Sequence, residues 1–258
     1  MSGNTAAELA RTTVTRAGSV RLVGPATART VVLDHAVRPD GSLELVVAAT
    51  DGAVPEVGSA DPPVAVVVTD VSPVPSPDRV RAEVGLWARP SVPDDHAGRR
   101  VLESWARHRL VEGVGTSELL RDMGVLRLTP VAVRLAATCG CFAPVGGQGE
   151  PVDLADYLAA RPDPLSLVEH EWLGHLVASH TAELSALGRV AADSDRPVVL
   201  HAVDRQGMVF RRDPSTGPGC LDVRLDFDRR VECLCAATEA WSRLARRWLA
   251  PEDTGHER

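Results

Sequence analysis

The chain has 258 residues, of which 44% are hydrophobic and 24% charged, enough for one large soluble domain or two modest ones. A net charge of −7 argues against a broad nucleic-acid-binding surface, which normally needs a basic patch. The sequence shows no signal-peptide pattern, no apolar run of membrane-spanning length and an odd number of cysteines, five. We therefore expect a cytoplasmic protein without a disulfide framework and without nucleic-acid or membrane partners.

The first predicted element is a helix that begins at Thr5 and stops at Gly18, because Thr5 and Glu8 have the spacing of a capping box. Short valine-rich segments follow, separated by turns, which is typical of an antiparallel sheet or barrel. In the turn "RPDG" (38–41), Pro fixes φ and Asp-Gly tolerates the positive φ of a tight turn. We predict an exposed loop over 50–63 and strand-like segments at 19–24, 28–37, 41–49, 63–72 and 78–89.

The middle of the chain changes to helix and then returns to strand. We predict a helix over 94–113, a helical segment at 116–123 and a strand-like run over 125–145. The glycine-rich stretch 144–152 indicates a boundary between domains. The first domain is therefore predicted to span about 1–150.

The remaining residues have a different order of elements. After a short helix at 153–160, the pattern predicts one long helix over 164–191 and a closing helix over 231–249. Three strands lie between them, at 197–204, 207–213 and 220–227. This α-β-β-β-α order can fold as its own α+β unit, so we place a second domain at 151–250 and a tail at 251–258.

A histidine cluster stands out in the predicted long helix, with His170, His175 and His180 on it and His201 on the strand that follows. Imidazole is the commonest metal-binding side chain, so the cluster suggests metal or haem ligation. On one helix, however, His175 and His180 diverge by about 140°, which argues against one ion held from one face. The alternative interpretation buries a leucine stripe and leaves the histidines on the surface; its members are Leu173, Leu176, Leu184 and Leu187.

The cysteines suggest a weaker possibility. Two Cys-x-Cys pairs, Cys139 with Cys141 and Cys233 with Cys235, accompany the single Cys220. Structural zinc sites favour two to four intervening residues, so buried apolar cysteines are the favoured interpretation. The sequence also has no nucleophile motif, and "GGQG" (146–149) lacks the strand and the lysine of a phosphate loop.

Four pieces in the second region recur in a familiar order: "HLVASH" (175–180), "DRQG" (204–207), "VRLDF" (223–227) and "ATEAWSRLARRWL" (237–249). Together they resemble the C-terminal domain of unknown function in haem-utilisation proteins that carry a split β-barrel. The family's helix has the pattern His-Leu-Asn-x-Asp-His. Val177 and Ser179 stand here in place of the Asn and Asp, which removes the amide and the carboxylate that would orient the imidazoles.

The first region resembles the split barrel itself, the fold of the pyridoxamine phosphate oxidases. "DHAVRPDGSLELVV" (34–47) is similar to the early strand pair and "LRLTPVAVRLAATCGCFAPV" (126–145) to the late barrel segment. The resemblance implies a homodimer with a cofactor in the cleft between two barrels. It implies haem or metal ligation by His175 and His180, with His256 as a further candidate.

The same resemblance offers flavin as the alternative cofactor. A flavin phosphate needs clustered basic and hydroxyl groups, and Arg79 with Arg81 is the pair that the relevant strand supplies. The leading hypothesis is a haem-binding protein for haem handling, sensing or degradation. The alternatives are an oxidoreductase dependent on FMN or a deazaflavin, and a cofactor-free barrel that acts as an interaction or regulatory module with a protein partner.

Overall fold

A computed structural model describes residues 5–24, 27, 30–49, 63–76, 78–109, 123–137, 149–193, 197–212 and 222–249. The fold is α+β, as predicted, with a nearly closed antiparallel barrel and a separate α+β unit. The chain groups into two compact units. The first comprises Met1–Asp70, Ala82–Ala137 and Pro144–Pro162, and the second comprises Val71–Arg81, Thr138–Ala143 and Asp163–Arg258.

The first unit contains three helices and seven strands among the described residues. The helices are α1 (Ala6–Arg16), α2 (Asp95–Arg109) and α3 (Leu154–Ala159). The strands are β1 (Ser19–Val23), β2 (Thr30–Val37), β3 (Leu43–Ala49), β4 (Val64–Val71), β5 (Val80–Ser91), β6 (Met123–Ala137) and β7 (Glu150–Val152). The sequence placed helix α3 in the second domain, whereas in the structure it groups with the first unit. The predicted boundary between two domains near residue 150 stays a prediction.

The seven strands form one antiparallel sheet in the order β1-β4-β5-β6-β3-β2, with β7 paired to β6. Strands β1 and β2, at the two ends of this order, approach each other, so the sheet is a nearly closed barrel. Side chains alternate between the two faces along each strand, as β geometry requires. In β4, for example, Val64, Val66 and Val68 are buried and the residues between them are less so.

The predicted start of the chain is confirmed in detail. The Glu8 backbone N–H donates to Thr5 Oγ1 at 3.1 Å and the Thr5 N–H donates to Glu8 Oε2 at 2.9 Å, which is the capping box. Gly41 has a φ of +85° in the "RPDG" turn, the left-handed conformation that favours glycine. The Arg38 N–H closes this turn on the Ser42 carbonyl at 2.9 Å.

Arg11 ties helix α1 to the rest of the first unit from a buried position. Its Nη2 donates to the carbonyls of Arg38 and Pro39, at 3.1 and 3.2 Å, and its Nε donates to the carbonyl of Ala160 at 3.2 Å. The guanidinium also lies over the ring of Tyr157, 5.3 Å from its centroid. One side chain therefore bonds to both the "RPDG" turn and the end of α3.

The second unit contains three described helices, α4 (Glu169–Ser179), α5 (Thr181–Ala192) and α6 (Leu234–Leu249). Its three-stranded antiparallel sheet has the order β10-β9-β8, from β8 (Val198–Asp204), β9 (Gly207–Arg212) and β10 (Asp222–Asp226). The helices and the sheet share one apolar core. The leucine stripe proposed from the sequence lies in it, because Leu173, Leu176, Leu184 and Leu187 are all buried.

The segment Val71–Arg81 lies between β4 and β5 in the chain and belongs to the second unit. Val74 is buried in that unit's core. The Ser72 hydroxyl donates to the His201 carbonyl at 2.8 Å, and Arg211 Nη1 donates to the Val80 carbonyl at 2.8 Å. Among the described helices, none is long and apolar enough to cross a membrane.

Candidate functional site

The predicted long helix is two helices, because the chain leaves helical geometry at His180. Its backbone angles are φ −132° and ψ 33°, so α4 ends and α5 begins at this residue. Hydrogen bonds continue across the break, since the His180 N–H donates to the Leu176 carbonyl and the Leu184 N–H donates to the His180 carbonyl. Ser179, His180 and Thr181 are three successive residues of modest helix propensity, which is a local signal for a break. The sequence analysis missed it because the regular spacing of the leucines favoured one continuous helix.

Because of this break, the divergence of about 140° expected for His175 and His180 on one helix does not apply, and the two side chains can lie on one side of the molecule. The angle of about 140° holds only along one regular helix. In the structure the two ring centroids are 5.7 Å apart with their planes at 75°. The His180 ring also meets the Trp241 ring of α6, with centroids 5.8 Å apart at 67°. We call His175, His180 and Trp241 the histidine–tryptophan cluster.

The cluster consists of two accessible imidazoles and a buried tryptophan that contacts one of them. Trp241 is buried in the core of the second unit, whereas His175 is exposed and His180 is partly exposed. His180 Nδ1 lies 3.6 Å from Glu183 Oε1, one turn further along α5. The sequence analysis passed over Glu183, although the spacing i, i+3 on a helix was a usable signal. An imidazole with one nitrogen facing a carboxylate keeps its other nitrogen for a ligand.

The other two histidines named with the cluster lie in different surroundings. His170 is exposed on α4. His201 is only 2% exposed, and within the described residues both of its ring nitrogens lack a hydrogen-bond partner. The register of β8 against β9 shifts between Leu200 and Ala202, so His201 is the extra residue of a bulge.

The interior around His201 keeps its imidazole neutral. Burial first, and then the charges of Arg211 and Arg81, lower the pKa of His201 to about 3. Arg211 is itself buried and donates from Nε and Nη2 to Asp222 at 2.6 and 2.7 Å. Its Nη1 donates to Asp78 Oδ2 at 3.2 Å. His201 is thus a buried neutral group beside a network of ion pairs.

The two arginines predicted to hold a flavin phosphate, Arg79 and Arg81, each bind a different group of the protein. Arg79 is exposed, precedes β5, and donates from Nε to the Ser72 carbonyl at 2.8 Å. Arg81 Nη1 donates to Glu169 Oε1 at 2.9 Å, and the two side chains are 8% and 2% exposed. The same carboxylate oxygen accepts the Val203 N–H at 2.8 Å. Arg81 therefore belongs to the interior of the second unit, and phosphate binding by the pair stays a prediction.

The remaining candidate ligands form no metal centre in the described part of the chain, where no group of three His, Cys, Asp or Glu side chains is placed to hold an ion. Cys233 and Cys235 are free and exposed at the start of α6. The other three cysteines, Cys139, Cys141 and Cys220, lie outside the described residues, and so does His256.

A small cleft lies beside β1 and β2 in the first unit. Its volume is about 200 Å³, below the range of about 300–1,000 Å³ usual for pockets that hold drug-sized ligands. Polar groups line it, among them Ser19, Asp34 and His35. His35 Nε2 is already 2.9 Å from the Val14 carbonyl. Among the described residues its lining includes no Arg side chain for an acidic cofactor group, so this part of the cleft does not fit a flavin phosphate.

No family profile matches the sequence, and no curated protein matches it. Among solved structures, the chain is similar to a haem binding protein from Mycobacterium smegmatis, with 20% identity, a TM-score of 0.53, and coverage of 97% of this chain and 100% of that one. A protein of unknown function from Agrobacterium tumefaciens aligns over 92% of this chain and 94% of its own, with 18% identity and a TM-score of 0.35. At these identities the first likeness establishes a shared fold, and the second superposition is too loose to support an argument.

Proposed function

We propose that this protein binds haem at the histidine–tryptophan cluster, with His175 and His180 as the iron ligands to be tested. The observation that carries the proposal is the contact of two accessible imidazoles, 5.7 Å apart, at the break between α4 and α5. The shared fold with a haem binding protein, over nearly the whole of both chains, adds support.

The residues present fit this ligand. Neutral imidazole binds haem iron, and the donor strength of the ligand sets how the iron's two oxidation states are balanced. Trp241 would fix the plane of the His180 ring, because it is buried and in edge contact with it. When bound, haem supplies one-electron and oxygen chemistry, so haem handling, sensing and degradation all remain open.

Titration with hemin tests the proposal. Purified protein is expected to give a saturable Soret change at one hemin per chain, with tight binding retained when exposed His170 is changed to Ala. A yellow, fluorescent protein that ignores hemin would favour the flavin or deazaflavin oxidoreductase instead. A chain that carries no chromophore and binds neither hemin nor FMN would favour the cofactor-free interaction or regulatory module. The homodimer, the protein partner and the cytoplasmic location stay predictions.

A further inference from the structure

The side chains around the two cluster histidines are not equivalent. His180 Nδ1 faces Glu183 Oε1 at 3.6 Å, and these side chains are 35% and 45% exposed. Within the part of the chain that the structure describes, no carboxylate pairs with His175, whose ring contact is with His180. One imidazole therefore has a carboxylate behind it and the other does not.

This difference matters for any metal that the cluster binds. A ligating histidine usually donates its second ring N–H to a carboxylate, which fixes the tautomer, orients the ring and raises its donor strength. The distance of 3.6 Å is longer than a hydrogen bond, and such contacts commonly shorten only when the ligand is bound. Glu183 lies one turn from His180 on α5, so rotation of its side chain alone can close the gap.

The surroundings of His180 also restrict the ring from its other sides. Its backbone is fixed at the break by hydrogen bonds from both helices. The His175 and Trp241 rings meet it edge to face, at 5.7 and 5.8 Å. A ring held by two aromatic neighbours and one carboxylate is prepared for ligation, because little rotational freedom remains to be lost.

We infer that His180 is the iron ligand, through Nε2, and that Glu183 is the positioning residue that accepts the Nδ1 proton. This inference rests on the proposed haem function and adds an assignment within the same site. His175 then lies beside the ligand and contacts it without replacing it. A stronger imidazole donor favours ferric over ferrous iron, so Glu183 acts on the redox balance as well as on affinity.

The test compares wild-type protein, Glu183→Gln and Glu171→Gln, each loaded with hemin. Glu171 is the matched control, because it is an exposed carboxylate on α4 four residues before His175 and loses the same charge. For E183Q we expect ferric hemin affinity to fall by about tenfold, within the usual range for a carboxylate that accepts a proton from a metal-binding histidine. If ferrous affinity changes little, the midpoint potential rises by about 59 mV, the one-electron equivalent of a tenfold ratio. E171Q should match wild type in both measurements.

The outcomes separate the inference from the proposed function. If wild type itself gives no saturable hemin binding, the proposed function fails and the inference with it. If wild type binds and E183Q keeps the wild-type potential and affinity, haem binding stands and the role of Glu183 is refuted. An equal shift in E171Q also refutes it, because the effect is then one of general surface charge or of ligation by His175. Circular dichroism of each variant checks that the fold is intact.

Discussion

His175 and His180 are five residues apart in the chain, yet their rings lie 5.7 Å apart across the boundary between two helices. A regular helix would have directed them to different sides. The break at His180 also places its ring against Trp241. The contact between the two imidazoles is therefore a consequence of one non-helical residue.

Trp241 is predicted to matter for ligand binding as well as for packing. Trp241→Leu removes the ring that contacts His180, and an aromatic pair contributes about 0.5–1.5 kcal/mol beyond its buried area. We expect hemin affinity to fall by roughly two- to tenfold. Trp241→Phe keeps a ring and should recover most of the loss. Equal hemin affinity in W241L and wild type, with both proteins folded by circular dichroism, would show that Trp241 does not position the ligand.

His201 is predicted to make the protein sensitive to acid. Its pKa is about 3 when folded and about 6.5 when unfolded, so between these values the unfolded chain binds the extra proton. The stability contributed by neutral His201 is complete above pH 6.5 and declines as pH falls toward 3. At pH 5 the loss is about 2 kcal/mol.

Urea unfolding of wild type and His201→Leu at pH 7.5 and pH 5 measures this effect. The leucine variant should lose about 2 kcal/mol less than wild type over that interval, whatever the carboxylates contribute to both. Its stability at pH 7.5 should stay close to that of wild type, because His201 makes no side-chain hydrogen bond in the described structure. Identical pH dependence in the two proteins would contradict the assignment.

Arg211 is predicted to hold the segment Val71–Arg81 in the second unit. Arg211→Met leaves Asp222 and Asp78 without the guanidinium that they share and frees the Val80 carbonyl. Breaking a buried ion pair by removing one partner costs about 3–5 kcal/mol. Arg211→Lys keeps the charge and should recover only part, because lysine lacks the planar fork that bonds Asp222 twice. A free energy of unfolding, measured in urea, within about 0.5 kcal/mol of wild type would contradict this role.

Arg11 is predicted to be the side chain that contributes most to holding helix α1 against the rest of the first unit. Arg11→Met removes hydrogen bonds to three carbonyls and the contact over Tyr157, so we expect a loss of about 2–4 kcal/mol. Tyr157→Phe is the milder comparison, since it keeps the ring and removes a hydroxyl that donates to the Gly41 carbonyl at a long 3.4 Å, and it should cost about 1 kcal/mol or less. Thermal unfolding measures both. An equal cost for the two variants would contradict this role, because Y157F keeps the ring and all three arginine bonds to carbonyls.

The features that the sequence predicted correctly depend on residues close together in the chain. Thr5 and Glu8 signalled the capping box, and Asp40 with Gly41 signalled the tight turn, because each interaction closes within four residues. The valine-rich run that forms β4 signalled a strand.

The features that sequence reasoning missed depend on distant partners. The pairing of Arg81 with Glu169 was not predicted, because nothing local identifies a partner 88 residues away. Nothing local in the segment Val71–Arg81 identifies its partners His201 and Arg211, which are 129 and 131 residues from Ser72 and Val80 in the chain. At His180 the regular leucine spacing concealed a one-residue break.

Hemin titration of the double variant H175A/H180A shows whether the histidine–tryptophan cluster binds haem, with H170A as the control that removes an exposed histidine from the same helix. We expect H170A to keep the saturable Soret change of wild type and the double variant to lose it. A double variant that is folded and binds hemin with wild-type affinity would contradict the claim that the histidine–tryptophan cluster is the haem site.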